Sequence, residues 1–305
     1  MKPDLSIDLA GIKMKNPVMN ASGPFGCGRE YAQFIDLSEL GAIVVKSITL
    51  KEQRGNPPPR ICETASGILN SIGLQNKGVD RFIREDLPHL RNYNVPIIVN
   101  VAGGTIDEYV AVCDRLNHVH GVSGIELNIS CPNVKKGGAI FGSSSRLASK
   151  VVREVRRVTN LPLIVKLTPN VTDIVKIARS VEIAGADGVS LINTLLGMCI
   201  DVETFRPELA SIVGGLSGPA IKPIAIRMVW QVAQATNIPI IGMGGIASVK
   251  DAIEFFLAGA TAIAIGTANL IDPRITIEII RGLEKFLEEK GFETIWEIVG
   301  KVRID

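Results

Sequence analysis

One short stretch of the sequence concentrates a thiol and several amide side chains. Cys131 lies within residues 124–133 (GIELNISCPN), whose first half is an apolar run typical of a buried parallel strand. Asn128 and Asn133 flank the thiol, and Pro132 follows it and ends any further strand pairing. A thiol among amides at a strand exit can move a proton on a polar ligand, but most isolated cysteines are buried structural residues. These residues alone do not distinguish a catalytic thiol from a structural one, so other parts of the sequence are needed.

Two lysines at the ends of apolar runs require negatively charged partners. Lys46 and Lys166 each end an otherwise apolar segment. A lysine is costly to bury there unless it meets an anion, which could be a core carboxylate or a bound ligand. A phosphorylated cofactor with an electron-rich ring would satisfy both lysines. This points to flavin mononucleotide (FMN), although the residues alone leave other phosphorylated ligands open.

Eight apolar segments alternate with helical patterns, and these elements must position the side chains. The helical segments have apolar residues at three- and four-residue spacing. The alternation predicts a parallel sheet, and the count of eight favours closure into a (β/α)8 barrel of the TIM type. Strands are predicted at about 17–21, 42–47, 96–101, 124–130, 162–167, 188–193, 239–244 and 262–267. Helices are predicted at 30–39, 78–92, 106–118, 143–158, 171–184, 219–236, 248–258 and 274–290.

The barrel prediction includes a short N-terminal β-hairpin and two long βα-loop insertions. The hairpin strands are predicted at residues 5–8 and 11–14. The insertions, residues 48–76 and 194–218, follow the second and sixth predicted strands. Because no linker rich in Pro, Gly or Ser divides the chain, residues 1–305 are predicted to form a single domain.

Polar or small residues follow every predicted strand. In a TIM barrel the carboxyl ends of the strands meet at one face, where active sites are built. If these residues served the fold alone, apolar or turn-forming residues would stand at most of these positions. We therefore expect this face to hold a ligand. The residues are, in strand order, Asn20 with Ser22, Lys46 with Ser47, Asn100, Asn128 with Cys131, Lys166, Asn193 with Thr194, Gly244 with Gly245, and Gly266 with Thr267.

The last two strand ends indicate a phosphate site. Gly244 and Gly245 precede a helix predicted to begin near Ser248, and Gly266 and Thr267 follow the eighth strand. In barrels of this type, backbone N–H groups of the loops after strands seven and eight commonly hold a phosphate. Paired glycines alone are weak evidence because ordinary turns also need them. Their position after these two strands strengthens the prediction.

Bulk properties argue against several other classes of protein. The formal net charge is +2 and no long basic run occurs, so we expect neither nucleic acid nor an anionic membrane as partner. The sequence has no apolar stretch of the ~18 residues that a membrane helix needs, and its start lacks a signal-peptide core. Its 5 cysteines are scattered without metal-ligand spacing. We therefore expect a cytoplasmic protein without a bound metal.

Motifs along the whole chain carry a family resemblance. They are VKSIT (45–49), RGNPPPR (54–60), NSIGLQN (70–76), NISCPN (128–133), VKLTP (165–169), INT (192–194), GGLSG (214–218) and GMGG (242–245). With these motifs the chain resembles the class 1 dihydroorotate dehydrogenases. Cysteine at position 131 is typical of class 1, since class 2 enzymes have serine there. The sequence IGLQN is similar to type B of that class.

The resemblance implies a barrel that holds FMN and oxidises (S)-dihydroorotate to orotate in pyrimidine biosynthesis. Cys131 would be the base that removes the proton from carbon 5, while a hydride leaves carbon 6 for the flavin. A thiol, whose ordinary pKa is ~8.5, can reach its reactive form near neutral pH. Lys166 would stabilise negative charge on the reduced flavin ring.

The resemblance also implies two sets of binding residues and a lid. Asparagine side chains suit a substrate ring with alternating N–H and C=O groups, because an amide both donates and accepts. Residues 134–142, which include 3 glycines, would form a lid over the substrate. Substrate contacts would come from Lys46, Asn70, Ser71, Ile72, Gly73, Leu74, Asn128, Asn133, Asn193 and Thr194. FMN contacts would come from Ser22, Lys46, Ser47, Asn100, Asn128, Lys166, Ile192, Gly218, Gly244, Gly245, Gly266 and Thr267.

Type B enzymes pass electrons to NAD+ through a partner subunit that carries FAD and a [2Fe-2S] cluster. The resemblance therefore implies a heterotetramer of two catalytic and two electron-transfer chains. The sequence contains no group of four cysteines that could hold the cluster itself. Two other enzymes remain open: a type A dihydroorotate dehydrogenase that uses fumarate, and a related flavin-dependent dihydropyrimidine dehydrogenase. The non-enzymatic alternative is a barrel that binds a phosphorylated metabolite.

Overall fold

The computed structural model describes residues 2–130 and 138–304, without the side chains of residues 138–140. Cys131, Asn133 and the first part of the predicted lid lie outside the described residues. The strands are β1 (Ile7–Leu9), β2 (Ile12–Met14), β3 (Val18–Asn20), β4 (Ile43–Ile48), β5 (Ile61–Thr64), β6 (Gly67–Asn70), β7 (Ile97–Val101), β8 (Gly124–Asn128), β9 (Leu163–Lys166), β10 (Gly188–Leu191), β11 (Leu195–Gly197), β12 (Ile200–Asp201), β13 (Arg206–Pro207), β14 (Gly214–Ser217), β15 (Ile240–Met243) and β16 (Ala262–Ile265). The helices are α1 (Ser22–Phe25), α2 (Val79–Arg81), α3 (Leu87–Arg91), α4 (Ile106–Asn117), α5 (Gly138–Ser143), α6 (Ser145–Arg156), α7 (Ile174–Ile183), α8 (Lys222–Ala233), α9 (Val249–Leu257), α10 (Ala268–Ile271) and α11 (Ile275–Lys290).

Eight parallel strands form the barrel, in the order β3-β16-β15-β10-β9-β8-β7-β4. A bridge between Met19 and Ala42 joins the two end strands and closes the sheet. The Asn20 side chain reinforces this seam: its Oδ1 accepts the Val44 N–H at 3.1 Å and its Nδ2 donates to the Val44 carbonyl at 2.6 Å. The predicted (β/α)8 barrel is confirmed. Asn20 is at the end of its strand as predicted, but its amide serves the seam.

The barrel strands are buried because helices cover their outer side while their inward side chains fill the interior. All residues of β7, β8 and β9 are buried, and β7 and β9 are mostly Val, Ile and Leu. Polar side chains cap the N-termini of several helices that surround the barrel. Thr105, Ser144, Asp173 and Ser248 each accept an N–H bond at the start of α4, α6, α7 and α9. None of the helices in the described part of the chain has the length and apolar character to cross a membrane.

The two long insertions pair with each other in a second sheet, a partnership that the sequence did not predict. Strands β5 and β6 come from the first insertion, and β11 and β14 come from the second. They form an antiparallel sheet in the order β11-β14-β6-β5. Asn70 of β6 lies opposite Gly215 of β14 in this sheet. The insertions are therefore one structural unit.

The N-terminal hairpin is confirmed, whereas two helix predictions need correction. Strands β1 and β2 pair with Ile7 opposite Met14. The helix predicted at 30–39 is wrong, because this segment forms two short 3₁₀ turns, Tyr31–Gln33 and Leu37–Glu39. The Asp36 carboxylate accepts the Ser38 N–H at 2.8 Å and begins a new turn there, which interrupts helix propagation. The helix predicted at 78–92 contains a π-helical segment between α2 and α3, residues Phe82–Asp86.

Candidate active site

A cavity of about 500 Å³ lies at the carboxyl ends of the barrel strands. This volume falls within the range of about 300–1,000 Å³ that is typical of small-molecule and cofactor sites. Its wall combines barrel strand ends with residues of the insertion sheet. Sixteen of the predicted site residues line it: Ser22, Lys46, Ser47, Asn70, Ile72, Leu74, Asn128, Lys166, Ile192, Asn193, Thr194, Gly218, Gly244, Gly245, Gly266 and Thr267.

Three predicted site residues, Ser71, Gly73 and Asn100, are not among those that line the cavity. Ser71 is fully buried, and its hydroxyl has no hydrogen-bond partner among the described residues. Gly73 has a φ of +76°, and a Cβ there would come within 2.6 Å of the Asn56 side chain, so it shapes the loop. Asn100 is also fully buried, and its amide is bonded to Glu126. The predicted ligand contacts of these three side chains therefore stay predictions.

The amide of Asn128 is held in one orientation at the cavity. Its Nδ2 donates to the Ser47 hydroxyl at 3.3 Å, and its Oδ1 accepts the Asn193 amide at 3.4 Å and the Ser130 N–H at 3.3 Å. The Tyr109 hydroxyl donates to the Asn128 carbonyl at 2.7 Å. These bonds come from several different elements, so the polar groups at the end of β8 are preorganised for a ligand.

The two lysines occupy different environments. Lys166 is only 5% exposed, with its Nζ 3.5 Å from the Ser22 hydroxyl and 4.0 Å from a Glu126 carboxylate oxygen. Lys46 is half-buried, and its Nζ donates to the Gly23 carbonyl at 3.2 Å. The sequence left open whether a core acid or a ligand anion partners these lysines. Lys166 has a core acid at ion-pair distance, and both ammonium groups still border the cavity.

Sequence reasoning missed Glu126, a buried carboxylate below the cavity. Glu126 is 1% exposed and accepts hydrogen bonds from the Asn100 amide and, at 2.7 Å, from the Ser190 hydroxyl. A signal was available, because Glu126 is the one acidic residue within the apolar run 124–128. The cost argument that singled out the lysines applies equally to this carboxylate.

The ends of β15 and β16 offer backbone groups to an anion. Gly245 has a φ of +81°, and a Cβ there would lie 2.8 Å from the Lys222 Cβ and 2.9 Å from the Gly218 carbonyl, so only glycine fits. The Thr267 hydroxyl donates to the Ser217 hydroxyl at 2.8 Å and ties this end to the insertion sheet. Backbone N–H groups at such turns can hold a phosphate.

Comparison with known proteins places the chain in a family. The profile of the family described as "Dihydroorotate dehydrogenase" matches residues 4–287. The chain belongs to this family. A protein of Geotalea daltonii named "Dihydroorotate dehydrogenase B (NAD(+)), catalytic subunit" is 54% identical over 303 residues, which are 99% of each chain. A relative of the same name from Anoxybacillus flavithermus is 57% identical over 297 residues, covering 97% of this chain and 95% of its own.

A solved structure supports the fold of this dihydroorotate dehydrogenase family member. The chain resembles a dihydroorotate dehydrogenase of Eimeria tenella, crystallised with ferulenol, with a TM-score of 0.81 and 24% identity. The match covers 97% of this chain and 88% of the Eimeria chain. The family resemblance inferred from the motifs is confirmed, and the curated relatives carry the type B name that the IGLQN motif indicates.

Dihydroorotate dehydrogenases are flavin-dependent, and the residues around the cavity fit a flavin. Lys46 and Lys166 bring positive charge to one part of the wall, where a reduced flavin ring would be negative. Ile192, Met243 and Ile246 supply an apolar surface suited to a planar ring. The close-packed Gly245 turn leaves backbone groups for a phosphate. Positive charge, apolar surface and a close-packed glycine turn thus occur together in one cavity.

Proposed function

We propose that the chain is the catalytic subunit of a type B dihydroorotate dehydrogenase, oxidising (S)-dihydroorotate to orotate in cytoplasmic pyrimidine biosynthesis. The observation that carries the proposal is the cavity, where two lysines and a fixed cluster of amides converge at the carboxyl face of the barrel. The names of relatives that are 54% and 57% identical over nearly the whole chain support the same function.

The proposed cofactor is FMN, which supplies the acceptor for the hydride when it is bound. Lys166 lines the cavity, and its ammonium group would stabilise the negative charge that a bound flavin gains on reduction. Gly244 and Gly245, with Gly266 and Thr267, also line the cavity and would hold the phosphate through backbone N–H groups.

Substrate recognition is assigned to amide side chains that line the cavity. Asn128 and Asn193 are bonded to each other at 3.4 Å, and both line the cavity. Asn70 reaches the cavity from the insertion sheet, where its Nδ2 donates to the Gly215 carbonyl at 3.2 Å. These side chains can match the donors and acceptors of a pyrimidine ring and orient its reacting edge.

Cys131 is proposed as the base that takes the proton from carbon 5 of dihydroorotate. The residue before it, Ser130, is buried, and its hydroxyl donates to the Lys166 carbonyl. This bond fixes the chain at the exit of β8, directly before the proposed base and beside the strand that carries Lys166. The contribution expected of a positioned base is about 10²–10⁴-fold in rate.

The proposal includes a partner subunit with FAD and a [2Fe-2S] cluster that passes electrons to NAD+, in a heterotetramer of two chains of each kind. The support is the words "catalytic subunit" in the names of the relatives. The catalytic chain would thus perform the first half of the reaction, the oxidation of dihydroorotate, without its partner.

An absorbance spectrum tests cofactor and reaction together. We expect the purified chain to show a flavin spectrum that bleaches when dihydroorotate is added without oxygen. A folded, colourless chain that cannot take up FMN would contradict the proposal. Turnover of the chain alone with fumarate would replace type B by type A, and bleaching by dihydrouracil but not by dihydroorotate would indicate a dihydropyrimidine dehydrogenase.

A further inference from the structure

Four adjacent barrel strands place polar side chains in one buried layer. Asn100 of β7 lies opposite Glu126 of β8, and Ser190 of β10 lies opposite Lys166 of β9. None of the four is more than 5% exposed. Interior layers of TIM barrels are usually filled with Val, Ile and Leu, and buried polar groups are costly unless they are paired. This layer therefore needs a reason beyond packing.

Glu126 connects the members of this layer. One carboxylate oxygen, Oε1, accepts the Ser190 hydroxyl at 2.7 Å. The other, Oε2, accepts the Asn100 amide and lies 4.0 Å from the Lys166 ammonium. Glu126 is absent from the residues that line the cavity, whereas Lys166 is among them. Glu126 can therefore act on a bound ligand only through its neighbours or through its charge.

We propose that Glu126 is a positioning residue for flavin chemistry, which holds the Lys166 ammonium at the cavity and offsets part of its charge. The inference rests on the proposed function, since that function places the flavin beside Lys166. A negative charge in this buried layer attracts the ammonium more strongly than it would at the surface, because solvent screens a buried pair less. The hydrogen bonds from Asn100 and Ser190 keep the carboxylate in place.

The charge offset has a predictable sign. Reduction adds negative charge to the flavin, so an uncompensated Lys166 ammonium favours the reduced form, while the Glu126 carboxylate opposes it. Removing only the carboxylate charge should therefore make the flavin easier to reduce. Removing only the lysine charge should make the flavin harder to reduce.

Glu126→Gln removes the charge and keeps the shape. The new amide can still accept the Ser190 hydroxyl through one oxygen. The Asn100 amide can rotate to receive the new N–H, because its Oδ1 is buried and has no hydrogen-bond partner among the described residues. We expect Glu126→Gln to bind FMN and to raise the ratio of reduced to oxidised flavin at least tenfold against a fixed reference dye. Tenfold corresponds to about 30 mV for a two-electron couple.

Two further variants separate positioning from a structural role. Asp86→Asn removes a buried carboxylate charge outside the barrel interior, where Asp86 pairs with Arg29 at 3.3 Å, and it should leave the ratio unchanged. In a Lys166→Met background, adding Glu126→Gln should have a smaller effect, because the carboxylate then has no ammonium group to position and only its direct charge effect on the flavin remains. If Glu126→Gln alone does not fold, the double variant should fold, since neither buried charge then lacks its partner.

Several results would overturn the inference. The first is a flavin-loaded Glu126→Gln variant with the same ratio of reduced to oxidised flavin as the wild type. The second is an undiminished effect of Glu126→Gln on that ratio in the Lys166→Met background. The third is a double variant that does not fold when the single variant also does not fold. The dye titration needs no dihydroorotate. A wild-type flavin that dihydroorotate cannot reduce would therefore contradict the proposed function and leave the test of Glu126 intact.

Discussion

The barrel has two unlike parts. Strands β7 to β10 carry buried polar side chains along their length, among them Asn100, Glu126, Lys166 and Ser190. Strands β15 and β16 are buried and apolar throughout, and polar groups appear only after they end, at Gly244 and beyond. We call these the polar part and the glycine part. Both border the same cavity.

The two parts differ in which groups face a ligand, and this determines how much their sequences indicate about function. In the glycine part, backbone N–H groups are proposed to bind the cofactor's phosphate, so the sequence there needs only small residues and indicates an anion in general. In the polar part, side chains of particular chemistry stand in fixed hydrogen bonds. The polar part therefore identifies the reaction, and the glycine part identifies only how a cofactor is held. The following predictions test this division, in order of decreasing effect on the reaction.

The largest effect should come from Cys131, which directly follows the polar part. Cys131→Ala should lower turnover near neutral pH by about 10²–10⁴-fold, the usual contribution of a positioned base, while FMN and orotate still bind. Cys131→Ser should keep a remnant that grows at high pH, because a hydroxyl is a far weaker base. Steady-state rates between pH 6 and 10 measure both. Cys62→Ala serves as the control, and near-normal turnover of Cys131→Ala would remove Cys131 from this role.

Alkylation should distinguish Cys131 from Cys27 and Cys62 without any mutation. Burial, with the nearby Asp86 charge, raises the pKa of Cys27 to about 12, and burial, with the neighbouring Cys199 thiol, raises the pKa of Cys62 to about 11. A raised pKa leaves less thiolate at pH 8, and only the thiolate reacts. If Cys131 keeps an ordinary pKa of ~8.5, iodoacetamide at pH 8 should modify it at least about 100-fold faster. Peptide mass spectrometry follows each site.

The expected pH dependence sharpens this comparison. Labelling of Cys62 and Cys27 should accelerate only as the pH approaches about 11 and 12 respectively, whereas labelling of Cys131 should level off above about 9. Orotate should slow the labelling of Cys131 alone, since only that thiol is assigned to the substrate site. Equal rates for Cys27 and Cys131 at pH 8 would contradict the prediction.

Local sequence patterns predicted the barrel and many of the residues that line the cavity, because each barrel strand ends at the same face. Each apolar run ends in a residue that the fold then delivers to one face, which is why Lys46, Lys166 and Asn128 were found. The insertion sheet was not predicted, because its strands are short and pair over long separations. Asn70 meets Gly215 across 145 positions, and nothing local encodes that pairing.

The omission of Glu126 and the wrong helix prediction at 30–39 have different causes. Glu126 lies inside its strand, so a rule based on strand ends does not select it. Its charge is nevertheless as costly to bury as that of Lys166. The segment 30–39 has helical spacing, but the Asp36 side chain competes for the backbone and favours turns. The first failure was avoidable from residue types alone. The second depended on a hydrogen bond that the sequence does not specify.

A moderate effect is expected from Gly245→Ala in the glycine part. The added Cβ would meet the Lys222 Cβ at 2.8 Å and the Gly218 carbonyl at 2.9 Å, so the turn must shift. We expect FMN to bind roughly tenfold more weakly or worse, equivalent to at least about 1.4 kcal/mol. Turnover of the fully loaded variant should stay close to that of the wild type, because the polar part is intact. Flavin fluorescence on dilution measures the affinity.

Gly291→Ala is the matched control for Gly245→Ala. Gly291 also has a positive φ, +73°, but a Cβ there meets nothing within 4 Å, so backbone strain occurs without crowding. Its FMN affinity should equal that of the wild type. If Gly245→Ala instead lowered turnover at saturating FMN while affinity stayed unchanged, the glycine part would take part in the reaction and the division would be wrong.

The smallest effect on the reaction should come from the seam where β3, the neighbour of β16 in the glycine part, meets β4, the neighbour of β7 in the polar part. Asn20→Ala leaves the Val44 N–H and carbonyl without the amide that pairs them, at 3.1 and 2.6 Å, and each buried unpaired group costs about 1–3 kcal/mol. We expect a lower melting temperature but normal turnover at low temperature. Asn160→Ala, at an exposed position, should change neither quantity.

An unchanged melting temperature for Asn20→Ala would mean that the Met19–Ala42 bridge closes the barrel unaided. A turnover loss without a stability loss would mean that the seam itself shapes the cavity.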